Sequence, residues 1–312
     1  MADRKLKTPE TSAKSKRAAA PERKPAAGRR VCYQGEPGAN SHLACREVFA
    51  DLEPLACATF EDALAAVKTG DARYAMIPIE NSVAGRVADI HHLLPGAGLH
   101  IVGEHFLRVR HQLMALPGAS LATVKKALSH THALGQCRNT LRRLGIVPVP
   151  EADTAGSARV VAESRDPSLA AIASSLAAEI YGLKILKHDI EDEQHNTTRF
   201  VVLANERAYA RASDGLIVTT FIFRVRNVPA ALYKAMGGFA TNGVNMTKLE
   251  SYQLDGRFVA TMFYADVEGH PDDPAVARAL EELQFFSTEF HILGAYKASP
   301  YRAHANKAGE EA

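Results

Sequence analysis

Residues 31–203 alternate short apolar runs with longer segments in which apolar residues recur at helical spacing. The short runs predict strands over 31–34, 55–59, 74–79, 146–149, 170–173, 185–189 and 200–203. The longer segments predict helices, including 133–144, 154–163 and 174–181, and Asn40 or Ser41 is placed to cap the first helix. This alternation indicates an α/β layer with a largely parallel sheet. Because the region is long for one small sheet, we expect two α/β lobes with a ligand-binding cleft between them.

A different order of elements follows a polar, Ala-rich linker at 205–214. Strands are predicted over 216–225, 245–254, 257–267 and 290–298, and helices over 230–242 and 274–283. Asp255-Gly256 joins the second and third of these strands and is a strong hairpin signal. The resulting βαββαβ order is the ferredoxin-like arrangement. The expected domains are therefore a two-lobed domain at 31–204 and a ferredoxin-like domain at 215–300, with tails at 1–30 and 301–312.

The net charge of +2 conceals an uneven distribution. Residues 1–30 hold ten Lys and Arg against three Asp and Glu, a net charge of +7, so the remaining chain is at −5. This tail has almost no large apolar residue and cannot bury a core, which predicts a disordered, solvated extension. A nucleic-acid-binding arm is disfavoured because no aromatic residues interleave the charges and the body is acidic. A DNA-binding regulator is disfavoured as well, since no helix-turn-helix pattern is present.

The four cysteines form no CxxC pair and no regular framework, so we expect reduced thiols and a cytoplasmic protein. No apolar run reaches the length of a membrane span, and no signal peptide is visible, so no membrane partner is expected. At 312 residues, with 46% hydrophobic and 23% charged residues, the composition is that of a soluble globular protein of two domains.

Polar clusters follow the predicted strands of the first domain. Each has a structural alternative: a plain turn for the glycine-rich loop, helix caps for the Asn, Ser and Thr residues, and an ion pair with Asp189 or Glu191 for the arginine. His130 and His132 lack an acidic partner and a helical spacing, so a metal site is disfavoured. The clusters contain Gly35 and Ser41; Glu80, Asn81 and Ser82; Ser129 and Gln136; Thr154; and Asn196, Thr197, Thr198 and Arg199.

In this order, the clusters resemble the catalytic domain of prephenate dehydratases. The matching segments are Gln34-Gly35-Glu36-Pro37-Gly38, Pro78-Ile79-Glu80-Asn81-Ser82, Ser129-His130, Gln136-Cys137, Thr154-Ala155 and Asn196-x-Thr198-Arg199-Phe200. The family commonly has His-Pro-Gln where this chain has His130-Thr131-His132. The resemblance implies a monofunctional enzyme whose catalytic domain is two-lobed and periplasmic-binding-protein-like, followed by a ferredoxin-like ACT regulatory domain.

The resemblance also implies the reaction and the residues that serve it. The substrate would be prephenate, which loses CO2 and the ring hydroxyl to give phenylpyruvate, and neither a cofactor nor a metal is required. Thr198 would assist departure of the hydroxyl, and Asn81, Ser129 and Gln136 would be the other catalytic positions. Substrate binding would fall to Gly35, Ser41, Glu80, Ser82, Thr154 and Arg199.

Residues 216–298 resemble the ACT domain through the segment 242–251. This resemblance implies feedback by phenylalanine at a site formed in a homodimer or homotetramer. The implied site residues are Asn227, Ala230, Ala231, Leu232, Leu249, Glu250 and Ser251. The family often has Gly-Ala-Leu and Glu-Ser-Arg-Pro in these two segments. This chain has alanine at position 230, which adds a methyl group, and Tyr252-Gln253 in place of Arg-Pro, which removes a positive charge.

Two other functions agree with the same pattern. An arogenate dehydratase would act on the amino analogue of prephenate, which differs in one substituent. A non-catalytic two-lobed binding protein would share the architecture. Turnover of purified protein with prephenate or arogenate separates these alternatives.

Overall fold

The computed structural model describes residues 28–193, 195–253 and 260–303. Residues 1–27 and 304–312 of the predicted tails lie outside the described residues, as does the predicted Asp255-Gly256 hairpin. No helix in the described part of the chain is long and apolar enough to span a membrane.

The first lobe is built on one mixed sheet. Its elements are β1 (Arg30–Gln34), α1 (Asn40–Val48), β2 (Glu53–Cys57), α2 (Phe60–Lys68), β3 (Tyr74–Asn81), β4 (Gly85–Arg86), α3 (Ala88–Ala97) and β5 (His100–Arg108). The strand order is β2-β1-β3-β11-β5, in which β11 (Thr197–Ala204) returns from the far end of the second lobe. The pairs of β1 with β2 and β3 are parallel, whereas β11 is antiparallel to both neighbours, so the predicted parallel sheet is mixed.

The second lobe has a five-stranded mixed sheet in the order β10-β6-β9-β7-β8. Its elements are β6 (Gln112–Ala115), β7 (Lys126–His130), α4 (Thr131–Gln136), α5 (Arg138–Leu144), β8 (Val147–Glu151), α6 (Thr154–Ser164), β9 (Leu169–Ala173), α7 (Ser175–Tyr181) and β10 (Lys184–Lys187). The helix predicted over 133–144 is thus two helices that meet at Cys137. Two lobes are confirmed, each with its own apolar core.

The third unit has the predicted βαββαβ order and an antiparallel sheet in the order β13-β14-β12-β15. Its elements are β12 (Ile217–Val225), α8 (Ala231–Thr241), β13 (Met246–Gln253), β14 (Ala260–Glu268), α9 (Pro274–Phe286) and β15 (Ser287–Lys297). We call this unit the C-terminal domain. Between it and the lobes, the linker contains a short 3-10 turn at Ala212–Asp214.

The C-terminal domain packs directly on the first lobe. One face of its sheet is covered by α8 and α9, and the other face shares a continuous apolar core with β3, α3 and β5. Val218, Ile222 and Tyr264 contribute to this shared core. At Gly294, a β carbon would lie only 2.0 Å from the carbonyl oxygen of Ile101 in β5, so glycine alone permits this approach. The two units therefore form a tight interface in which buried polar groups must find partners.

Candidate active site

The paired ends of β3 and β11 place the central polar residues of the first lobe. In this antiparallel pair, Thr198 lies opposite Asn81, and Arg199 lies opposite Glu80. The strand β11 begins at Thr197, three residues earlier than predicted, so these polar residues belong to the strand itself. Because successive side chains of a strand point to opposite faces, Asn81 and Thr198 share one face while Glu80 and Arg199 share the other.

The amide of Asn81 is held in one orientation. Its Oδ1 accepts hydrogen bonds from the backbone N–H groups of Val83 (3.0 Å) and Ala84 (2.8 Å). Its Nδ2 therefore faces the other way and donates to Thr198 Oγ1 at 2.9 Å and to Asn196 Oδ1 at 2.7 Å. Since the Thr198 oxygen accepts this bond, its own hydroxyl proton is left available for a ligand.

The network continues into the second lobe through Gln136. Its Oε1 accepts hydrogen bonds from Asn196 Nδ2 at 2.9 Å and from His111 Nε2 at 2.8 Å. Burial lowers the pKa of His111, so its ring is neutral near pH 7 and carries its proton on Nε2. Gln136 Nε2 makes no hydrogen bond to another described residue, so this amide group is a free donor beside the cleft.

The network thus brings together Thr198, Asn81 and Gln136 of the predicted catalytic residues. It adds Asn196, which the sequence placed beside Thr198 without a role, and His111, which no motif in the sequence indicated. The signals for Asn196 were its place in the same polar run and in the segment Asn196-x-Thr198-Arg199-Phe200, neither of which assigned it a role. His111 directly precedes β6, and the fold of the second lobe brings it within hydrogen-bond distance of Gln136.

A cavity of about 810 Å³ opens beside Gln136 and is bounded by both lobes. This volume is in the range of small-molecule sites. Arg138 and Arg142 supply positive charge, and neither forms an ion pair with another described residue; Asp192 and Glu193 supply negative charge. The lining residues are Val83, Ala84, Thr131, His132, Gly135, Gln136, Arg138, Asn139, Arg142, Asp192 and Glu193.

Ser129 and Thr154 do not join this network within the described part of the chain. Ser129 is fully buried, and its hydroxyl donates to the backbone oxygen of Ile172 at 2.6 Å. Thr154 was interpreted as a helix cap, which is wrong. The cap of α6 is Asp153, whose Oδ1 accepts from the N–H of Gly156 at 2.6 Å, and Thr154 is the first residue of the helix.

The loop between Gly35 and Ser41 bridges the two lobes. The hydroxyl of Ser174 donates to the carbonyl of Gly38 at 2.6 Å, and the hydroxyl of Tyr181 donates to the carbonyl of Pro37 at 3.0 Å. Gly35 has a φ of +120°, which favours glycine. Ser41 is buried in the first turn of α1, and neither Asn40 nor Ser41 caps that helix, because its N-cap is Ala39 with no side-chain hydrogen bond. The loop therefore positions the lobes.

The hydroxyl of Ser82 makes two hydrogen bonds to the backbone of the segment that leads into β11. Its Oγ donates to the carbonyl of His195 at 2.7 Å and accepts from the N–H of Thr197 at 2.9 Å. These bonds fasten the start of β11 to the loop after β3. The observed role of Ser82 is to fix the segment that carries Asn196 and Thr198.

Arg199 faces away from the cleft, which disfavours the predicted contact with a substrate carboxylate. Its side chain is 2% exposed and is enclosed by Glu80, Glu104 and Asp266. The predicted alternative, an ion pair with Asp189 or Glu191, is also wrong. The carboxylate of Asp189 binds Arg110 instead.

The residues predicted to bind phenylalanine lie on the surface of the C-terminal domain. Asn227 and Ala230 are exposed ahead of α8, and Leu249–Ser251 lie in β13. The first lobe reaches this strand through Arg86, which donates to the carbonyl of Ser251 at 2.7 Å. Tyr252 is 3% exposed and packs against His91 and His92 of α3, so it belongs to the interface with the first lobe.

Two α/β lobes with a polar network across their cleft define a small-molecule-binding protein with a candidate active site, joined to a βαββαβ domain. The family model for prephenate dehydratase matches residues 31–208, more than half of the chain. The chain therefore belongs to the prephenate dehydratase family.

Individual relatives agree with this assignment. A bifunctional N-acyl-homoserine lactone acylase/prephenate dehydratase of Komagataeibacter europaeus is 52% identical over 272 residues, covering 87% of this chain and 97% of the relative. Arogenate dehydratase/prephenate dehydratase 2 of Arabidopsis thaliana is 38% identical, covering 86% and 72%. The crystal structure of a prephenate dehydratase of Arthrobacter aurescens in complex with L-Phe superposes with a TM-score of 0.79 at 30% identity, covering 90% and 98%.

Proposed function

We propose that the protein converts prephenate to phenylpyruvate in phenylalanine biosynthesis. The observation that carries the proposal is the hydrogen-bonded network Thr198–Asn81–Asn196–Gln136, which joins the two lobes and leaves donors of Thr198 and Gln136 free. A dehydratase of this kind needs to hold a dianion and to protonate a leaving hydroxyl, and the network supplies donors for both tasks.

The reaction requires little covalent chemistry from the protein. The bond between the ring and its carboxylate breaks to release CO2, and its electron pair enters the ring. The C–O bond of the ring hydroxyl breaks, and the hydroxide takes up one proton, supplied by solvent, to leave as water. Thr198 donates a hydrogen bond to the departing oxygen. Its proton is available for this bond because Thr198 Oγ1 already accepts a hydrogen bond from Asn81 Nδ2. A positioned donor of this type contributes roughly 10²–10⁴-fold in rate.

The substrate carboxylates require cations or N–H donors that the protein has not already used. Since Arg199 is enclosed by three carboxylates, we assign this role to Arg138 and Arg142 in the cavity, together with Nε2 of Gln136. Charge-assisted bonds from arginine suit carboxylates well. Ser129 remains a predicted catalytic position, and Thr154 and the loop from Gly35 to Ser41 remain predicted substrate contacts.

Replacement of Thr198 by valine tests the assignment, because valine keeps the shape and removes the hydroxyl. We expect kcat to fall by roughly 10²–10⁴-fold with an unchanged melting temperature. Thr197→Val is the matched control, since it is the same change one residue earlier on the same strand. A kcat near that of the wild type in Thr198→Val contradicts the proposal.

Arogenate is the second substrate to test. Relatives in Arabidopsis thaliana carry both names, and Asp192 and Glu193 in the cavity offer carboxylates for an ammonium group. Incubation with each substrate, followed by quantification of phenylpyruvate or phenylalanine, gives the ratio of kcat/KM. No turnover of either substrate favours the non-catalytic binding protein.

A feedback role for phenylalanine is proposed on the residues of the C-terminal domain. The L-Phe complex of the Arthrobacter aurescens relative supports it. We expect added phenylalanine to change the rate of the dehydratase reaction. The two exposed segments at 227–232 and 249–251 form the proposed site, and Glu250→Ala should weaken the response without removing basal activity.

An N-acyl-homoserine lactone acylase activity is a second candidate. The 52% identical relative carries this name, and a mostly apolar cavity of about 520 Å³ adjoins the first cavity at Thr131, Gly135, Arg138 and Arg142. Such a cavity suits an acyl chain. The test follows release of homoserine lactone and free fatty acid by mass spectrometry. Absence of both products over prolonged incubation contradicts this activity.

A further inference from the structure

The two strands that carry Asn81 and Thr198 present a second pair of polar residues on their opposite face. Glu80 precedes Asn81 in β3, Arg199 follows Thr198 in β11, and the two lie directly opposite each other. This face meets the C-terminal domain. Each of these two residues is bonded through one peptide unit to a residue of the catalytic network.

Arg199 is the centre of a buried charge network between the first lobe and the C-terminal domain. It donates to Glu104 Oε2 at 2.9 Å and to Glu80 Oε1 at 3.0 Å in its own lobe. From the C-terminal domain it binds the carboxylate of Asp266 and the hydroxyl of Tyr296, the latter at 2.9 Å. All three nitrogens of the guanidinium are engaged: Nε by Glu104, Nη1 by Glu80 and Asp266, and Nη2 by Tyr296.

The charges of this network are balanced. Arg302 donates to both carboxylate oxygens of Glu104, at 2.7 and 2.9 Å, and Lys248 binds Glu80. Arg199, Arg302 and Lys248 therefore face the carboxylates of Glu80, Glu104 and Asp266, and Lys248 is shared with Glu250 at 3.5 Å. Burial would raise the pKa values of Glu80 and Glu104, but the adjacent arginines and lysine outweigh it and hold both pKa values below the usual range. All three carboxylates are thus paired, and removal of one partner leaves a buried charge uncompensated.

The contacts from the C-terminal domain reach the catalytic strands at two points. Lys248 of β13 binds Glu80, and Asp266 of β14 binds Arg199. A third contact, from Arg86 to the carbonyl of Ser251, holds the strand β4 that pairs with Glu80 and Asn81. The three contacts all fall on the segments that place Asn81 and Thr198. An interface that only holds the two domains together would not require its contacts to be at these positions.

We propose that Glu80 and Arg199 are positioning residues for Asn81 and Thr198, and that the C-terminal domain sets their position through Lys248 and Asp266. This inference rests on the proposed dehydratase function. The catalytic network is then complete only when the C-terminal domain is docked. Because Lys248 directly precedes the segment 249–251, a ligand bound there acts on Glu80 through a single side chain.

The test uses Lys248→Gln, which removes one cation from the network and leaves Arg199 in place. Arg224→Gln is the matched control, since Arg224 is a cation of the same domain that pairs with Glu289 of the same domain. We expect Lys248→Gln to lower kcat about five- to tenfold with KM within about twofold. We expect the control to keep wild-type kinetics and Lys248→Arg to restore most of kcat. Lys248→Gln should melt below the control because it leaves a buried charge less well compensated, so kcat is compared per folded molecule at a temperature well below both transitions.

A double-mutant cycle tests whether the effect of Lys248 on kcat passes through Glu80. In a Glu80→Gln background, Lys248→Gln should lower kcat no further, because its effect passes through the Glu80 carboxylate. Additive losses in the cycle, or a wild-type kcat in Lys248→Gln, overturn the proposal.

A readout without turnover separates this inference from the function on which it rests. Amide hydrogen exchange of peptides covering 78–86 and 196–200 should be faster in Lys248→Gln than in Arg224→Gln. If the wild type turns over neither prephenate nor arogenate, the proposed function fails while the exchange result still tests the coupling. Equal exchange in the two variants overturns the coupling whatever the activity.

Discussion

At the scale of single residues, the amide of Asn81 determines how the Thr198 hydroxyl can act. Asn81→Asp keeps the shape and the two bonds from the N–H groups of Val83 and Ala84, but a carboxylate cannot donate. The Thr198 hydroxyl would then donate to the new carboxylate, and its proton would be lost to the substrate. We expect kcat to fall by about 10²-fold or more with the fold retained, measured by steady-state kinetics and circular dichroism.

One kinetic result for Asn81→Asp would contradict this prediction. A kcat within a few-fold of the wild type would show that Thr198 does not need its proton for the leaving hydroxyl. Asn81→Ala separates the two roles of the side chain, because it removes the donors and also frees the backbone loop at 83–84. We expect it to lower both kcat and thermal stability.

A second residue-scale prediction concerns Ala230, whose φ of +61° lies in the left-handed region that favours glycine. Left-handed backbone costs an L-residue with a β carbon roughly 1–2 kcal/mol. Ala230→Gly relieves this strain, and the greater freedom of glycine in the unfolded chain offsets part of the gain. We expect a net stabilisation of about 0.5–1 kcal/mol in denaturant unfolding.

Ala231→Gly is the matched control for Ala230→Gly, because Ala231 is the first residue of α8. Glycine costs roughly 0.5–1 kcal/mol relative to alanine in the middle of a helix and less in its first turn, so this neighbour should be slightly destabilised. Effects of the same sign in both variants would contradict the strain argument.

Residue identities in the site were only partly predictable from the sequence. Thr198, Asn81 and Gln136 are brought together as the motifs indicated, because strand ends and a helix of the facing lobe place them at one cleft. Arg199 was assigned to the cleft because its partners Glu104 and Asp266 are 95 and 67 residues away in the chain. Ion pairs between residues so far apart depend on how the two domains pack, and the local sequence around Arg199 carries no information about that packing.

At the scale of elements, most strands and several helices were predicted to within a few residues, but β4, β5, β6 and β7 were missed and α4 and α5 were predicted as one helix. The break between α4 and α5 falls at Cys137, two residues after Gly135, and a single glycine within a helical pattern is too weak a signal to place it. The break is explained by Asp192, whose carboxylate accepts from the N–H groups of Asn139 (2.8 Å) and Thr140 (3.2 Å) and so caps α5 from a distant loop. Asp192 lies 53 residues from Asn139 in the chain, so this cap cannot be predicted from the residues around α5.

The contact between the loop at 35–41 and α7 yields an element-scale prediction. Gly38 has a φ of +93°, and a β carbon there would lie 2.7 Å from Cα of Ala177. Gly38→Ala therefore adds a backbone clash to the strain of left-handed backbone, and the two lobes must move apart. We expect a loss of stability well above the roughly 1–2 kcal/mol of strain alone, and a large loss of kcat/KM.

Gly70→Ala is the control that isolates the strain. Gly70 has a φ of +80° and no atom within 4 Å of the added β carbon, so only the backbone term applies. We expect a loss of about 1–2 kcal/mol and unchanged kinetics per folded molecule. Equal losses in the two variants, measured by denaturant unfolding, would show that the loop at Gly38 can yield without cost to the lobe contact.

At the scale of the whole molecule, the buried carboxylates of the domain interface make folding depend on pH. The pKa values of Glu80 and Glu104 are lowered in the folded state from an ordinary value of 4.5, so the unfolded chain binds protons first as the pH falls. The stability they contribute is complete above about pH 4.5 and is lost progressively as the pH falls through their lowered pKa values. We expect the melting temperature to fall steeply below pH 4.5 in scanning calorimetry.

Glu80→Gln tests whether the interface is the source of this acid sensitivity. Its side chain is only 30% exposed and binds both Arg199 and Lys248, so the amide removes one of the lowered pKa values and flattens the profile below pH 4.5. Glu47→Gln is the control, since Glu47 pairs with His105 at the surface of the same lobe. If the network couples the C-terminal domain to the catalytic strands, acid should also lower kcat before it unfolds either lobe. Activity that persists until global unfolding, with the same midpoint in both variants, would mean that the interface and the active site respond to protons independently.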